Sequence, residues 1–112
     1  MYKKRKKEDK LYLNDILESS TAILSYVKNM SFEDFSKDRK TYQAVIREFE
    51  IIGEAIGNLS EEYKNKHKNV PWQDIKDFRN ILIHEYFGVD LEIVWKVIEE
   101  DLPVLTSVVK DK

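Results

Sequence analysis

The sequence predicts an all-α protein, and three of its features lead to that expectation. It contains three glycines and two prolines in 112 residues, so residues that break helices are scarce. Apolar residues recur at intervals of three and four over long segments, which is the spacing of one helix face. Residues that cap helices stand at the ends of these segments. The length suits a single domain, so residues 1–112 are expected to form one bundle of four or five helices.

The first predicted helices lie in the N-terminal half. Apolar spacing predicts a long helix from about residue 8 to residue 29, and Ser31 with Asp34 forms a capping box that predicts a short helix or turn. A second long helix follows, with Gly53 and Gly57 in or beside its apolar stripe. Because glycine weakens a helix, we interpret these two as the place where a neighbouring helix approaches closely. The two stripes consist of Leu13, Ile16, Leu17, Ile23, Leu24 and Val27, and of Tyr42, Val45, Ile46, Phe49, Ile52, Ile56 and Leu59.

The C-terminal half predicts two further helices. A polar connector at residues 60–69, with room for a helical turn, precedes Pro71, which suits a first helical position. Gly88 is the expected stop of that helix. Asp90 is expected to cap the last helix, and Pro103 to kink or end it before the segment VLTSVVK.

Composition and charge narrow the functional classes. Charged residues make up 36% of the chain, the formal net charge is -2 and cysteine is absent, so disulfides and thiolate chemistry are not expected and a cytoplasmic location fits. No segment has the pattern of a signal peptide or a membrane span. The basic start, MYKKRKKEDK, contains six basic and two acidic residues. We interpret residues 1–7 as a solvated basic arm, although such an arm can also attract nucleic acid or an acidic partner.

The segment RNILIHEY, residues 79–86, holds the most unusual combination of side chains. On a helical projection Arg79 falls about 40° from Ile75, inside the apolar face. An arginine on such a face needs a partner, because an unpaired buried charge costs several kcal/mol. One interpretation is therefore structural: an ion pair with Glu50, Glu54 or an acid of the last helix, inside the bundle or at the seam of a dimer.

The other interpretation is catalytic. Histidine exchanges protons near neutral pH, arginine matches phosphate oxygens, and Asn80 can orient a phosphate or a hydroxyl. His84 would help a 2′-hydroxyl of RNA attack its own phosphate, and Arg79 would stabilise the developing charge. On a regular helix these two residues lie about 140° apart, so either the helix loosens near Gly88 or the groups converge from two chains.

Other chemical signals are weaker. His67 and His84 lack the spacing of a metal site, and nucleotide-binding loops are absent; no metal and no cofactor are expected. Lys64, Lys66 and Lys68 form a basic patch that can touch an RNA backbone, but we interpret it as a solvated connector.

The residues Arg79, His84 and Tyr86 follow the pattern R-x4-H-x-Y of HepT-like HEPN proteins, and the chain resembles most closely the toxins of HepT/MntA toxin–antitoxin pairs. The segment REFEIIGEAIGNLS resembles the glycine-containing central helix of that family. RNILIHEYFGVD and VWKVIEEDLPVL resemble its last two helices. The resemblance covers nearly the whole chain, less clearly its first ten residues.

The resemblance implies an antiparallel HEPN bundle that forms a homodimer and cleaves RNA as a metal-independent endoribonuclease. Arg79 and His84 would be the catalytic pair in a cleft between subunits, with Asn80 in support. It also implies a partner, an MntA-like nucleotidyltransferase antitoxin that transfers AMP onto Tyr86. The alternative is a non-catalytic module that binds nucleotide or docks the nucleotidyltransferase, since similar folds also serve binding.

Overall fold

The computed structural model describes the backbone of residues 6–84, 88 and 90–111, and their side chains except those of residues 6, 7, 83 and 84. Helices dominate this part of the chain and no strand occurs in it, so the protein is all-α, as predicted. None of these helices is long and apolar enough to cross a membrane. The helices are α1 (Lys6–Tyr26), α2 (Phe32–Lys37), α3 (Arg39–Asn58), α4 (Glu61–Lys66), α5 (Trp72–His84), α6 (Leu91–Glu100) and α7 (Leu102–Lys110).

The long helices α1 and α3 are antiparallel and form the centre of the bundle. Near the start of α1, the carboxylate of Asp9 accepts hydrogen bonds from the backbone N and the Oγ of Ser60, at 2.8 and 2.6 Å, just beyond the end of α3. At the end of α1, the hydroxyl of Tyr26 donates to Glu48 at 3.0 Å. The remaining large contacts join α5 to α3 and α7 to α1.

The core lies between these helices, and the predicted stripes supply most of it. Leu24 departs from the prediction, because its side chain is exposed on the outside of α1. The buried apolar residues are Leu13, Ile16, Ile23, Val27, Phe35, Val45, Phe49, Ile52, Ala55, Ile56, Leu59, Val70, Trp72, Ile75, Phe78, Leu82, Val94, Ile98, Leu102, Leu105 and Val109.

The caps predicted from sequence are present. Both hydrogen bonds of the Ser31–Asp34 capping box form, at 3.1 and 3.2 Å, and Asp90 accepts from the backbone N of Glu92 at 3.0 Å. The predicted break in the last helix separates α6 from α7, with Pro103 in the first turn of α7, where its missing N–H has no intrahelical carbonyl to lose.

The connector between α3 and α5 carries the helical turn that the sequence left room for, in the form of α4. Pro71 lies just before α5 rather than at its first position, and its carbonyl accepts from the backbone N of Ile75 at 3.0 Å. Gly88 has a φ of 108°, in the left-handed region that favours glycine.

Candidate active site on helices three and five

One face of α5 is buried and the other is open. The apolar face predicted from the sequence is buried against the core, and the rings of Phe78 and Phe49 meet edge to face with centroids 5.2 Å apart. Asp77, Asn80 and Ile81 are exposed on the other side. The open face of α5 therefore carries a polar amide and an apolar side chain about one turn before His84.

Arg79 lies where α5 comes closest to α3, directly against Gly53. A Cβ atom added to Gly53 would overlap the Cβ of Arg79 and would lie 2.5 Å from its Cγ and 3.2 Å from its Cδ. Only a residue without a side chain allows this approach, as the sequence predicted for a glycine in this stripe. The first half of the Arg79 side chain is thus fixed between two helix backbones.

The far end of Arg79 is only loosely paired. Its Nη2 lies 3.9 Å from Oε2 of Glu54, and the Glu54 side chain is 71% exposed against 31% for Arg79. A single contact of this length to an exposed carboxylate contributes little to stability. The Nε of Arg79 is buried and has no hydrogen-bond partner within the described residues. The side chain is 31% exposed, so the rest of the guanidinium keeps donors that a further ligand can use.

This arrangement decides between the acidic partners considered for Arg79. Glu50 pairs instead with Arg47, at 3.3 Å on the same helix. Glu54 is the partner observed, but the geometry is far from the two-point pairing of a structural arginine–carboxylate bridge. The purely structural interpretation of Arg79 therefore leaves most of its donors unexplained.

The backbone of α5 starts Arg79 and His84 from different sides of the helix. α5 continues as a helix to His84, so five residues place the two Cα atoms about 140° apart around the axis and about 7.5 Å apart along it. Residues 85–87, next to the place near Gly88 where the sequence allowed the helix to loosen, lie outside the described residues, so both explanations stay predictions. The side chain of His84 and the whole of Tyr86 lie outside the described residues.

A second cation on α5, which the sequence analysis missed, lies beside Arg79. The Cε and Nζ of Lys76 would be 3.6 and 3.9 Å from a Cβ atom added to Gly57, so Lys76 rests on the second glycine as Arg79 rests on the first. The signal was available, because residues three apart share a helix face. The direction of these two contacts also shows that α3 and α5 are antiparallel.

Within the described part of the chain, no group of three His, Asp or Glu side chains is placed to hold a metal ion. Burial raises the pKa of the Tyr63 phenol, and the charge of Asp9 raises it further, so this ring stays neutral at physiological pH.

Comparison with known proteins places this chain in a family. A family model described as Ribonuclease HepT-like matches residues 16–111. The chain belongs to the HepT-like ribonuclease family. No solved structure matches it. Family membership agrees with the all-α HEPN bundle that the sequence resemblance implied.

Several curated relatives of this HepT-like chain match over most of their length. A protein of Thermococcus cleftensis named "Probable ribonuclease HepT" is 45% identical over 100 residues, covering 89% of this chain and 91% of the relative. A protein of Caldanaerobacter subterraneus that is named a candidate RNase is 46% identical, with 89% of each chain covered. Another candidate RNase, from Methanocaldococcus jannaschii, is 41% identical over 110 residues, covering 95% of this chain and 91% of its own.

Proposed function

We propose that this HepT-like protein is a metal-independent endoribonuclease, the toxin of a toxin–antitoxin pair, with Arg79 and His84 as its catalytic residues. The family match and the names of the relatives support a ribonuclease. The observation that carries the assignment to Arg79 is its geometry: a stem fixed on Gly53, a buried Nε without a partner and a loose contact to Glu54.

A phosphate completes this environment better than Glu54 does. The scissile phosphate of RNA gains negative charge on its non-bridging oxygens as the 2′-hydroxyl attacks, and a guanidinium held in place stabilises that charge without having to reorganise. His84 would accept the proton of the 2′-hydroxyl. Asn80, exposed on the same helix, would orient the phosphate or the hydroxyl.

The separation of Arg79 and His84 around α5 favours an active site built from two chains. In a two-fold dimer with α5 helices facing one another, Arg79 of one subunit can meet His84 of the other. Ile81 is 52% exposed on the open face of α5, and burial of this side chain against a second copy would add apolar contact area to such a seam. The homodimer is part of this proposal.

Regulation through Tyr86 completes the proposal. A nucleotidyltransferase antitoxin would transfer AMP onto the hydroxyl of Tyr86, two residues after His84. The attached phosphate would add negative charge and bulk beside the cleft, so RNA phosphate would be repelled by charge and by volume. The proposed cellular partners are thus a second copy of the chain, RNA and that antitoxin.

The test is cleavage of end-labelled single-stranded RNA in EDTA by the purified wild type, by His84→Ala and by Arg79→Ala. Cleavage by the wild type, with loss of at least about 100-fold in both variants, is expected, because each removes a proton-transfer or charge-stabilising group. His67→Ala is the matched control. His67 is the other of two histidines in the chain, and its ring stacks on Tyr63 at 4.5 Å.

Unchanged cleavage by His84→Ala would remove this residue from the mechanism. Loss of stability with retained activity in Arg79→Ala would return Arg79 to a structural role. If the folded wild type, free of AMP on Tyr86, cleaves none of several RNAs but binds a nucleotidyltransferase, the non-catalytic module is the correct function.

A further inference from the structure

A cavity of about 370 Å³ opens between the connector and the start of α5, one helical turn from Arg79. Its inner wall is apolar and includes Ile56, Val70 and Trp72, all of which are buried. The connector that forms the cavity is well fixed. The indole of Trp72 donates to the carbonyl of His67 at 3.0 Å, and the backbone N of Val70 donates to the same carbonyl at 3.2 Å.

Three lysines line this cavity: Lys64, Lys68 and Lys76. The connector was predicted to be a solvated basic patch, but the Lys64 side chain is only 16% exposed. Lys66, the remaining lysine of that patch, is 60% exposed, pairs with Glu62 at 3.7 Å and does not line the cavity. The fold therefore separates the patch into cations that line the cavity and one that lies outside it.

Among the described residues, two of the three cavity lysines have no ion-pair partner. Lys64 is paired with Glu61 at 3.1 Å. Asp74 is the other carboxylate on the wall. Its negative charge also acts on Asp101, between α6 and α7, and helps to raise the pKa of that residue. Lys68 and Lys76 form no ion pair within the described residues. Their two positive charges exceed the single negative charge of Asp74.

Lys76 joins the cavity to the candidate active site. It is three residues from Arg79 on the same face of α5, about 4.5 Å along the axis, and the two side chains rest on Gly57 and Gly53, respectively. Arg79 lies at the proposed catalytic site, Lys76 lies one turn away at the cavity, and Lys68 lines the same cavity; positive charges arranged in this order attract a polyanion.

We infer that this cavity is a phosphate-binding subsite of the RNA cleft, in which Lys76 and Lys68 hold a phosphate that flanks the scissile one on the same strand. The inference rests on the proposed function and assigns to that site two residues beyond the catalytic pair. Lysine is suited to this role as a flexible point charge, whereas the fixed guanidinium of Arg79 is suited to the reacting group. The subsite contributes to affinity and to the register of the strand, not to the chemical step.

The experiment measures binding of a fluorescently labelled, 2′-O-methylated single-stranded oligoribonucleotide, which cannot be cleaved through its 2′-oxygens, against salt concentration. Each phosphate contact on a single strand contributes about -0.7 to the slope of log affinity against log salt. Lys76→Gln and Lys68→Gln are each expected to make the slope less negative by about 0.7. Lys66→Gln, which removes the same charge outside the cavity, should leave it unchanged. Cleavage of the unmodified strand should show a raised KM and an unchanged kcat for both cavity variants.

The outcomes separate this inference from the proposed function. If the three lysine variants have equal slopes of log affinity against log salt and the wild type cleaves RNA, the subsite is overturned and the ribonuclease proposal stands. A slope that is less negative in the two cavity variants alone supports the subsite. This holds even if the wild type cleaves no RNA, and in that case the ribonuclease proposal fails. A wild type that does not bind the oligonucleotide at low salt overturns the subsite. Circular dichroism melts of each variant exclude unfolding as the cause of any loss.

Discussion

The contact between Gly53 and Arg79 makes a sharp prediction about the substitution Gly53→Ala. The added methyl group would overlap the Cβ of Arg79 and lie 2.5 Å from its Cγ. The Cβ is bonded to the backbone of α5, so it cannot swing away as the end of a flexible side chain can. α3 and α5 must move apart, or the helix must bend, to admit one methyl group.

The expected energy follows from two opposing terms. Overfilling a packed contact costs about 1–3 kcal/mol, while replacing glycine by alanine inside a helix gains up to about 1 kcal/mol. Gly53→Ala should therefore lower the free energy of unfolding by about 0–2 kcal/mol. Gly57→Ala is the matched control one turn later, because its methyl group would lie 3.6 Å from Lys76, an ordinary contact; it should gain up to about 1 kcal/mol.

The difference between the two variants isolates the clash, because both share the gain in helix propensity. It should be about 1–3 kcal/mol, or roughly 4–12 °C in Tm at about 4 °C per kcal/mol for a domain of this size. Thermal unfolding followed by circular dichroism measures it. In the RNA cleavage assay Gly53→Ala should also lose activity, by about 100-fold if Arg79 moves by about 1 Å. Equal melting temperatures, or wild-type cleavage by Gly53→Ala, would refute the reasoning.

Two further predictions concern carboxylates, one buried and one partly buried. Asp9→Ala should lower the free energy of unfolding by about 1.5–3 kcal/mol, since both hydrogen bonds from Ser60 are made to a charged acceptor; an unchanged urea midpoint would contradict this. The pKa of Asp101 is raised by burial and by the charges of Glu100 and Asp74, against a smaller opposing effect of a nearby lysine. The protonated form thus favours the fold and the ionised form opposes it. Asp101→Asn should raise Tm at pH 7, an advantage that shrinks as the pH falls through the raised pKa and is gone below the ordinary value of 3.8; a Tm difference that stays constant from pH 7 to pH 3 would show that the charge is not the cause.

Much of the fold was predictable because its signals are local. The capping box at Ser31 and Asp34 and the break near Pro103 depend on residues within one turn of each other. The apolar stripes also located the long helices, since a helix buries one face whatever its neighbour is. Gly53 was interpreted correctly as a place of close approach, whereas Gly57 has only ordinary contacts with the end of the Lys76 side chain. The sequence does not say which side chain approaches.

The details of the site were less predictable because they depend on tertiary contacts. Glu50 and Glu54 were equivalent partners for Arg79 on a helical projection, and the pairing of Glu50 with Arg47 separates them only in the folded structure. Two of the cavity lysines, Lys64 and Lys68, were interpreted as part of a solvated connector. Their placement depends on the turn at His67, which the hydrogen bond from the Trp72 indole holds against α5.

The cost and the benefit of Gly53 explain why an arginine with unused donors persists on an apolar helix face. A glycine in the middle of α3 costs about 1 kcal/mol of helix stability relative to alanine. In return, the Cβ and Cγ of Arg79 are fixed against the α3 backbone, so the guanidinium is oriented before any ligand arrives. A side chain that is already ordered loses less rotamer entropy on binding a phosphate than a free surface arginine does. Under the proposed function, the contact that weakens the helix would therefore strengthen charge stabilisation, and Gly53 and Arg79 would act as one functional unit.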